Sequence, residues 1–322
     1  MSNSVQVRKQ PIAEIFGFRV DDPSAEAKRH LRDRLCPFNR GPIVNVAMVP
    51  QRSPFRYPGG KTWLVPRVRR WLSGLPTRPA EFVEPFAGGG IVSLTVAFER
   101  LAGHVTMVEL DEEVAAVWHT ILYGDGVALA EQIAAFEVTA ESVEMALATP
   151  ATTVHERAFQ TILRNRVNRG GILAPGAGRV KLGENGRGLR SRWYPQTLKR
   201  RILDIVGQRE HITFIQGDGL EVLRENAHRR DVVFFIDPPY TAGGKRAGLR
   251  LYRYSELDHE ELFRLTATLA GDFLMTYDDA AEIRNLARQH GFDTEIVAMK
   301  STHHTRMNEL LIGRNLDWVR AG

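Results

Sequence analysis

The sequence predicts an α/β chain with a mostly parallel sheet, interrupted once by a basic insertion. Three observations predict it. From about residue 81, short apolar runs alternate with segments of helical spacing, the pattern of a parallel sheet with covered faces. The alternation stops near residue 120 and resumes near 202. The intervening stretch is rich in glycine and arginine in its second half and has little apolar periodicity there.

Residues 1–50 mix charge with proline and end in the apolar stretch IVNVAMV, so they read as an N-terminal extension. EFVEPFA, from 81, reads as a strand, GGGIVSLTVAFERLA as a glycine-led helix and HVTMVEL as the next strand. DEEVAAVWHTIL follows with apolar residues at helical spacing. Strands resume with ITFIQGD at 212–218 and VVFFIDPPY at 232–240. Further strands are read at 272–279, 293–299 and 308–315. The expected organisation is therefore one domain made of 51–119 and 202–322, with 120–201 inserted into it.

Composition narrows the function classes. The 322 residues are 43% hydrophobic and 25% charged, as in an ordinary globular protein. The single cysteine, Cys36, excludes an internal disulfide or a cysteine zinc cage. That fits a reducing compartment, and a cytoplasmic location is expected. No apolar run reaches the roughly 18 residues of a membrane span, and the first residues lack the apolar core of a secretion signal. A net charge of +5 fits a polyanionic partner. No metal site is expected, because His303 and His304 stand without further ligands at metal spacing.

Two glycine stretches invite a ligand. FVEPFAGGG ends a strand and opens a helix, where glycines permit close backbone approach and free N–H groups face outward. On a dinucleotide frame Gly88 and Gly90 fit but Ser93 takes the third glycine's place, which leaves a nicotinamide site open. Glu109, at the tip of the next strand, suits a ribose diol. The second stretch, RYPGGKT at 56–62, lacks the first glycine of a phosphate-binding loop, since Phe55 stands there.

RYPGGK, then FVEPFAGGG, then DPPY, in that order, resemble the Dam-like family of DNA adenine-N6 methyltransferases. The similarity covers about residues 53–315, and Asn308 to Ile312 are similar to the family's closing strand. The resemblance implies a Rossmann-like methyltransferase sheet, S-adenosylmethionine as methyl donor, and a mostly helical and loop target-recognition insertion at 120–201. It implies that Tyr57, Gly59, Gly60 and Lys61 line the donor's methionine end. Glu84, Pro85, Phe86, Ala87, Gly88 and Gly90 then form the glycine loop, Glu109 holds the ribose and Asp218 meets the adenine. Part of the extension, around IAEIFGFRVDDP, also resembles a segment of a restriction-endonuclease family, where it belongs to a cysteine-rich metal site. Cys36 alone cannot build such a site, but a cognate restriction endonuclease would suit a restriction–modification pair.

The residues of DPPY fit the chemistry. An adenine amine is a poor nucleophile because its lone pair is delocalised into the ring. Asp237 can accept one N6 hydrogen and the Pro238 carbonyl the other, which localises that lone pair toward an activated methyl. Pro238 and Pro239 stiffen the backbone, and Tyr240 offers a ring to the extruded base. Between 164 and 201 there are eleven basic residues and one acid, Glu184. Among them Arg164, Arg166, Arg169, Arg187, Arg190 and Arg192, with Lys245 and Arg246 of the loop after DPPY, are expected to meet double-stranded DNA. The alternative is a same-fold amino-methyltransferase acting on RNA or a protein amide. A DNA-binding module without catalysis is the third reading, and the intact DPPY argues against it.

Overall fold

The computed structural model describes residues 45–57, 59–183, 186–239, 257–300 and 306–320. Most of the N-terminal extension, and Tyr240, Lys245 and Arg246, fall outside the described residues.

All seven predicted strands form, five of them within two residues of their expected ends; the first stops at Glu84 and the fourth at Ile236, three and four residues short of the expected 87 and 240. They are β1 (Glu81–Glu84), β2 (His104–Glu109), β3 (Ile212–Gln216), β4 (Val232–Ile236), β5 (Phe273–Asp278), β6 (Asp293–Lys300) and β7 (Arg306–Gly313). They make one sheet in the order β3-β2-β1-β4-β5-β7-β6. The first five are parallel, and β7 runs antiparallel between β5 and β6. This is a Rossmann-like, doubly wound sheet with one reversed strand.

The helices are α1 (Val65–Ser73), α2 (Ile91–Phe98), α3 (Glu112–Leu122), α4 (Gly126–Ala135), α5 (Ala140–Ala148) and α6 (Val154–Val167). They continue with α7 (Pro195–Val206), α8 (Gly219–Asn226), α9 (His259–Thr268), α10 (Ala281–Gln289) and α11 (Asp317–Arg320). Polar residues set their starts: Asp111 caps α3, Thr139 and Thr153 close capping boxes on α5 and α6, and Asp218 caps α8. α2 stops at Phe98, earlier than the sequence predicts, because Arg100 takes a left-handed φ of 54°.

β4 shows why its sequence is an unbroken apolar run. Val233 and Phe235 pack into the core on one sheet face, with Phe82 and Leu274. Val232, Phe234 and Ile236 pack into the other, with Val83, Met275 and Tyr277. A strand covered on both faces cannot alternate apolar with polar. Burying five such side chains, at roughly 1.5–3 kcal/mol each, holds the strand tip in place.

Chain order reverses beside β1, whose neighbours are β2 on one side and β4 on the other. In open α/β sheets ligands bind outside the strand C-termini at such a switch point. Glu84 ends β1 there and Asp237 follows β4.

The insertion shares the sheet's core. α3 packs on α6 and α4 on α7, and Ile133, Ile162, Leu198 and Ile202 join the same apolar cluster as Phe82 and Met107. The expected boundary at 201 lies inside α7. Between α6 and α7 the glycine-rich stretch has short 3-10 turns and one bridge, Asn168 to Arg179. Asn165 of α6, fully buried, ties the insertion to the RYPGGK segment. Its Oδ1 accepts from the Arg56 amide at 2.8 Å, and its Nδ2 donates to the carbonyls of Arg56 at 3.0 Å and Gly171 at 2.7 Å. Asn165→Ala removes all three bonds, and stranded backbone groups cost about 1–3 kcal/mol each. The variant is expected to unfold at a clearly lower denaturant concentration, and an unchanged midpoint refutes this tie.

Candidate active site

The glycine turn is shaped by packing as much as by ligand access. Gly88 and Gly90 sit at φ 48° and 61°, conformations that side chains rarely adopt. A Cβ on Gly88 would lie 2.6 Å from the Tyr57 ring, and one on Gly90 would lie 2.4 Å from Met107 Cε. Tyr57 therefore stands against the turn. The Gly88 amide donates to Glu109 Oε2 at 2.8 Å, and Trp118 Nε1 donates to the Gly88 carbonyl at 3.0 Å. Glu109 Oε1 also accepts from the Asp111 amide at 2.9 Å. A carboxylate offers about four lone-pair sites, so Glu109 can be anchored by two amides and still accept a ribose diol.

Asp218 sits two residues past β3, where its Oδ1 caps α8 through the Leu220 amide at 2.8 Å. Leu110 and Ile215, at the tips of β2 and β3, are apolar yet 48% and 36% exposed. Together the turn, Glu109, Asp218 and these two apolar side chains fit a nucleoside-bearing donor: acceptors for hydroxyls and an amine, and apolar surface for a ring.

At the switch point is a charged cluster centred on Lys61, which is 3% exposed. Its Nζ lies 2.9 Å from Asp237 Oδ1, 3.5 Å from Glu309 Oε1 and 2.9 Å from the Gly59 carbonyl. Thr276 of β5 donates its hydroxyl to the same Asp237 Oδ1 at 2.7 Å. Lys61 thus faces the expected reacting carboxylate, a more specific place than the donor lining expected for it. Pro238 is buried and Pro239 half-buried behind Asp237. Glu84, 4% exposed, accepts from the Ser93 amide of α2 at 3.0 Å. Burial pushes the Glu84 carboxyl up to about 8, against the amide bonding and Lys61. Burial likewise pushes Glu309 up to about 7, opposed by Lys61. Behind the cluster Tyr277 Oη meets His259 Nδ1 at 2.8 Å.

Glu309, Thr276 and Leu110 were not singled out from the sequence. The signal for Glu309 was present: a carboxylate beside the apolar run LLI in a strand between two others.

The arginines of the insertion divide. Arg166 is 4% exposed and donates to the Pro54 carbonyl, so it is removed from any phosphate. Burial, with Arg201, Arg56 and Arg192 nearby, lowers its guanidinium to about 9. Arg164 is paired with Glu113 of α3 at 2.5 Å. Burial corrects the expectation that Arg166 meets DNA, while Arg164, 27% exposed, is held by its ion pair. Arg190 is exposed but bonded to the Val138 carbonyl at 2.8 Å, and Arg192 is half-buried. Arg169 and Arg187 are exposed.

Burial also pushes Glu109 up to about 7, and the three raised carboxyls fix a pH dependence. Their ordinary value is 4.5, so between there and about 8 the folded chain keeps protons that the unfolded chain has released. Folding stability therefore falls as pH rises through that window and levels off above it. Glu84→Gln is expected to flatten the fall, read as denaturant midpoint against pH; a variant with the wild-type slope contradicts the assignment.

Residues 57–109 match the family model described as D12 class N6 adenine-specific DNA methyltransferase. No curated protein matches. Among solved structures, a methyltransferase from Geobacter sulfurreducens is 16% identical, covering 94% of each chain at a TM-score of 0.35. An rRNA methyltransferase from Streptomyces viridochromogenes is 14% identical, covering 83% of this chain and 89% of that one at a TM-score of 0.36. Likenesses at these scores say nothing of substrate, and the fold rests on the strand order above. With that strand order, its glycine turn and the D12 class match over residues 57–109, the chain is a Rossmann-like, S-adenosylmethionine-dependent methyltransferase that resembles the Dam-like family.

Proposed function

We propose that the chain is a site-specific DNA (adenine-N6)-methyltransferase acting on a flipped adenine in duplex DNA, within a restriction–modification or related system. The carrying observation is the presentation of Asp237. A buried strand ends at the switch point, and Lys61 and Thr276 both hold Oδ1 of the carboxylate that follows it. That grip turns the group into an oriented acceptor before any base arrives. The amino hydrogens of adenine are assigned to Asp237 Oδ2 and the Pro238 carbonyl. S-adenosylmethionine supplies an electrophilic methyl, and Glu109, Asp218 and the turn at Gly88 to Gly90 would hold it. Chemistry of this kind depends mainly on placing nitrogen and carbon in line.

Adenine must leave the helix to reach a strand tip, and Tyr240, the expected stacking ring, is outside the described residues. Arg169 and Arg187 are exposed, as are Lys181 and Arg200 beside them in the insertion, and such cations favour a phosphate backbone.

Incubation with methyl-labelled donor and unmethylated duplex DNA is expected to yield N6-methyladenine. Label appearing only in RNA or in protein supports the alternative substrate, and retention of DNA without label supports a binding module. Asp237→Ala is expected to lower transfer by at least roughly 100-fold while leaving donor affinity within a few-fold; substantial turnover refutes the role. Reversing Arg169 and Arg187 to Glu is expected to weaken DNA binding and reduce the slope of log affinity against log salt by about two. Arg166→Lys is expected to lower stability without changing that slope, and the opposite pattern would move the DNA surface.

A further inference from the structure

Methylation of an amine leaves a proton to be placed. As the N–C bond forms, the broken S–C pair stays on sulfur, and N6 holds its two hydrogens, the methyl and a positive charge. One proton must go before the neutral product exists. Asp237 is the first acceptor by position. Its Oδ1 already takes Lys61 at 2.9 Å and Thr276 at 2.7 Å, so a proton lodged on Asp237 competes with the ammonium for one carboxylate.

A second carboxylate faces the same ammonium. Glu309 of β7 is 5% exposed, and its Oε1 lies 3.5 Å from Lys61 Nζ. Nothing in the family match reaches it, since that ends at residue 109. We propose that Glu309 is a positioning residue that acts through Lys61, receiving by way of the ammonium the proton shed by the methylated amine. This rests on the adenine reading above. The balance is simple. N6 gives a proton to Asp237; Lys61 passes one of its own to Glu309 and takes the proton from Asp237. Lys61 ends as an ammonium, Asp237 as a carboxylate, Glu309 as a carboxylic acid and the base as neutral N6-methyladenine.

Several groups bear on Glu309. Lys61 approaches from the turn before α1, and Asp237 from the tip of β4. Asp278 of β5 is its register partner and raises its proton affinity, as does Asp237. Val297 opposes it on β6. Farther out, Glu84 of β1 lies within the field of Asp237 and Lys61, and Tyr277 within that of Asp237; His259 of α9 bonds Tyr277. Burial raises Glu309 to about 7, a value suited to taking a proton and later losing it.

The test is single-turnover methyl transfer to an adenine-containing duplex against pH, with donor affinity measured on each variant. The wild-type rate is expected to rise with pH through the region near 7. Glu309→Gln is expected to lose that rise and roughly 100-fold in rate at neutral pH, with donor affinity within about twofold. Glu309→Asp keeps a carboxyl and is expected to keep the pH dependence at a reduced rate. If neither Glu309 variant binds donor, the infrared carboxyl stretch decides. Glu109 is also pushed up to about 7 by burial, so a carboxyl band titrating near pH 7 that persists in Glu84→Gln, Glu109→Gln protein and is lost on adding Glu309→Gln supports the assignment, and its absence overturns it. An unchanged rate and profile in Glu309→Gln overturns the relay while leaving the methyltransferase reading intact. A wild-type chain that methylates no adenine overturns both.

Discussion

A buried ammonium must be surrounded by acceptors, and Lys61 meets that demand with groups from two distant parts of the chain and from its own turn. Asp237 follows β4, Glu309 lies on β7 and the Gly59 carbonyl belongs to its own turn. Removing either carboxylate would leave the charge poorly compensated, which in buried pairs is strongly destabilising. The same contact therefore closes the RYPGGK segment onto the sheet and fixes the carboxylate that the proposed chemistry uses. Thr276 adds a neutral donor on the same oxygen, so orientation does not depend on one bond.

The RYPGGK segment is also held from the far side. Asn165 grips the Arg56 backbone, Arg166 the Pro54 carbonyl and Arg201 the Ser53 carbonyl at 2.9 Å. All three come from the insertion or the helix that closes it. Ser53 in turn donates to the Gly89 carbonyl, and Tyr57 leans on Gly88. The insertion, the glycine turn and Lys61 thus share one short segment. Basic residues that looked like nucleic-acid contacts in the sequence serve here as ties between the parts that would carry target and donor.

The sheet was legible because its strands are short, apolar and punctuated by glycine or acid, and because β4 is covered on both faces. Most of the site was legible for the same reason, since its residues cluster at strand tips. What was not legible depends on partners remote in sequence. A count of arginines does not separate Arg166, whose stem and head are buried, from Arg187, which is exposed. Apolar spacing in α4 to α7 says that one side is buried without saying against what, so the insertion read as a separate piece. Glu309 sits in a stretch that reads as a closing strand, and only the sheet order places it beside Lys61. The glycines at 88 and 90 were read as room for a ligand; the structure adds Tyr57, Met107 and Trp118 as reasons why a Cβ would not fit.

The most direct measurement is a crystal structure of the protein with a non-reactive donor analogue and a duplex containing its target adenine. The account predicts the base outside the helix, with N6 within about 3 Å of both Asp237 Oδ2 and the Pro238 carbonyl, and Lys61 still on Oδ1. An adenine that stays stacked, or an Asp237 turned away from the base in that complex, would contradict it.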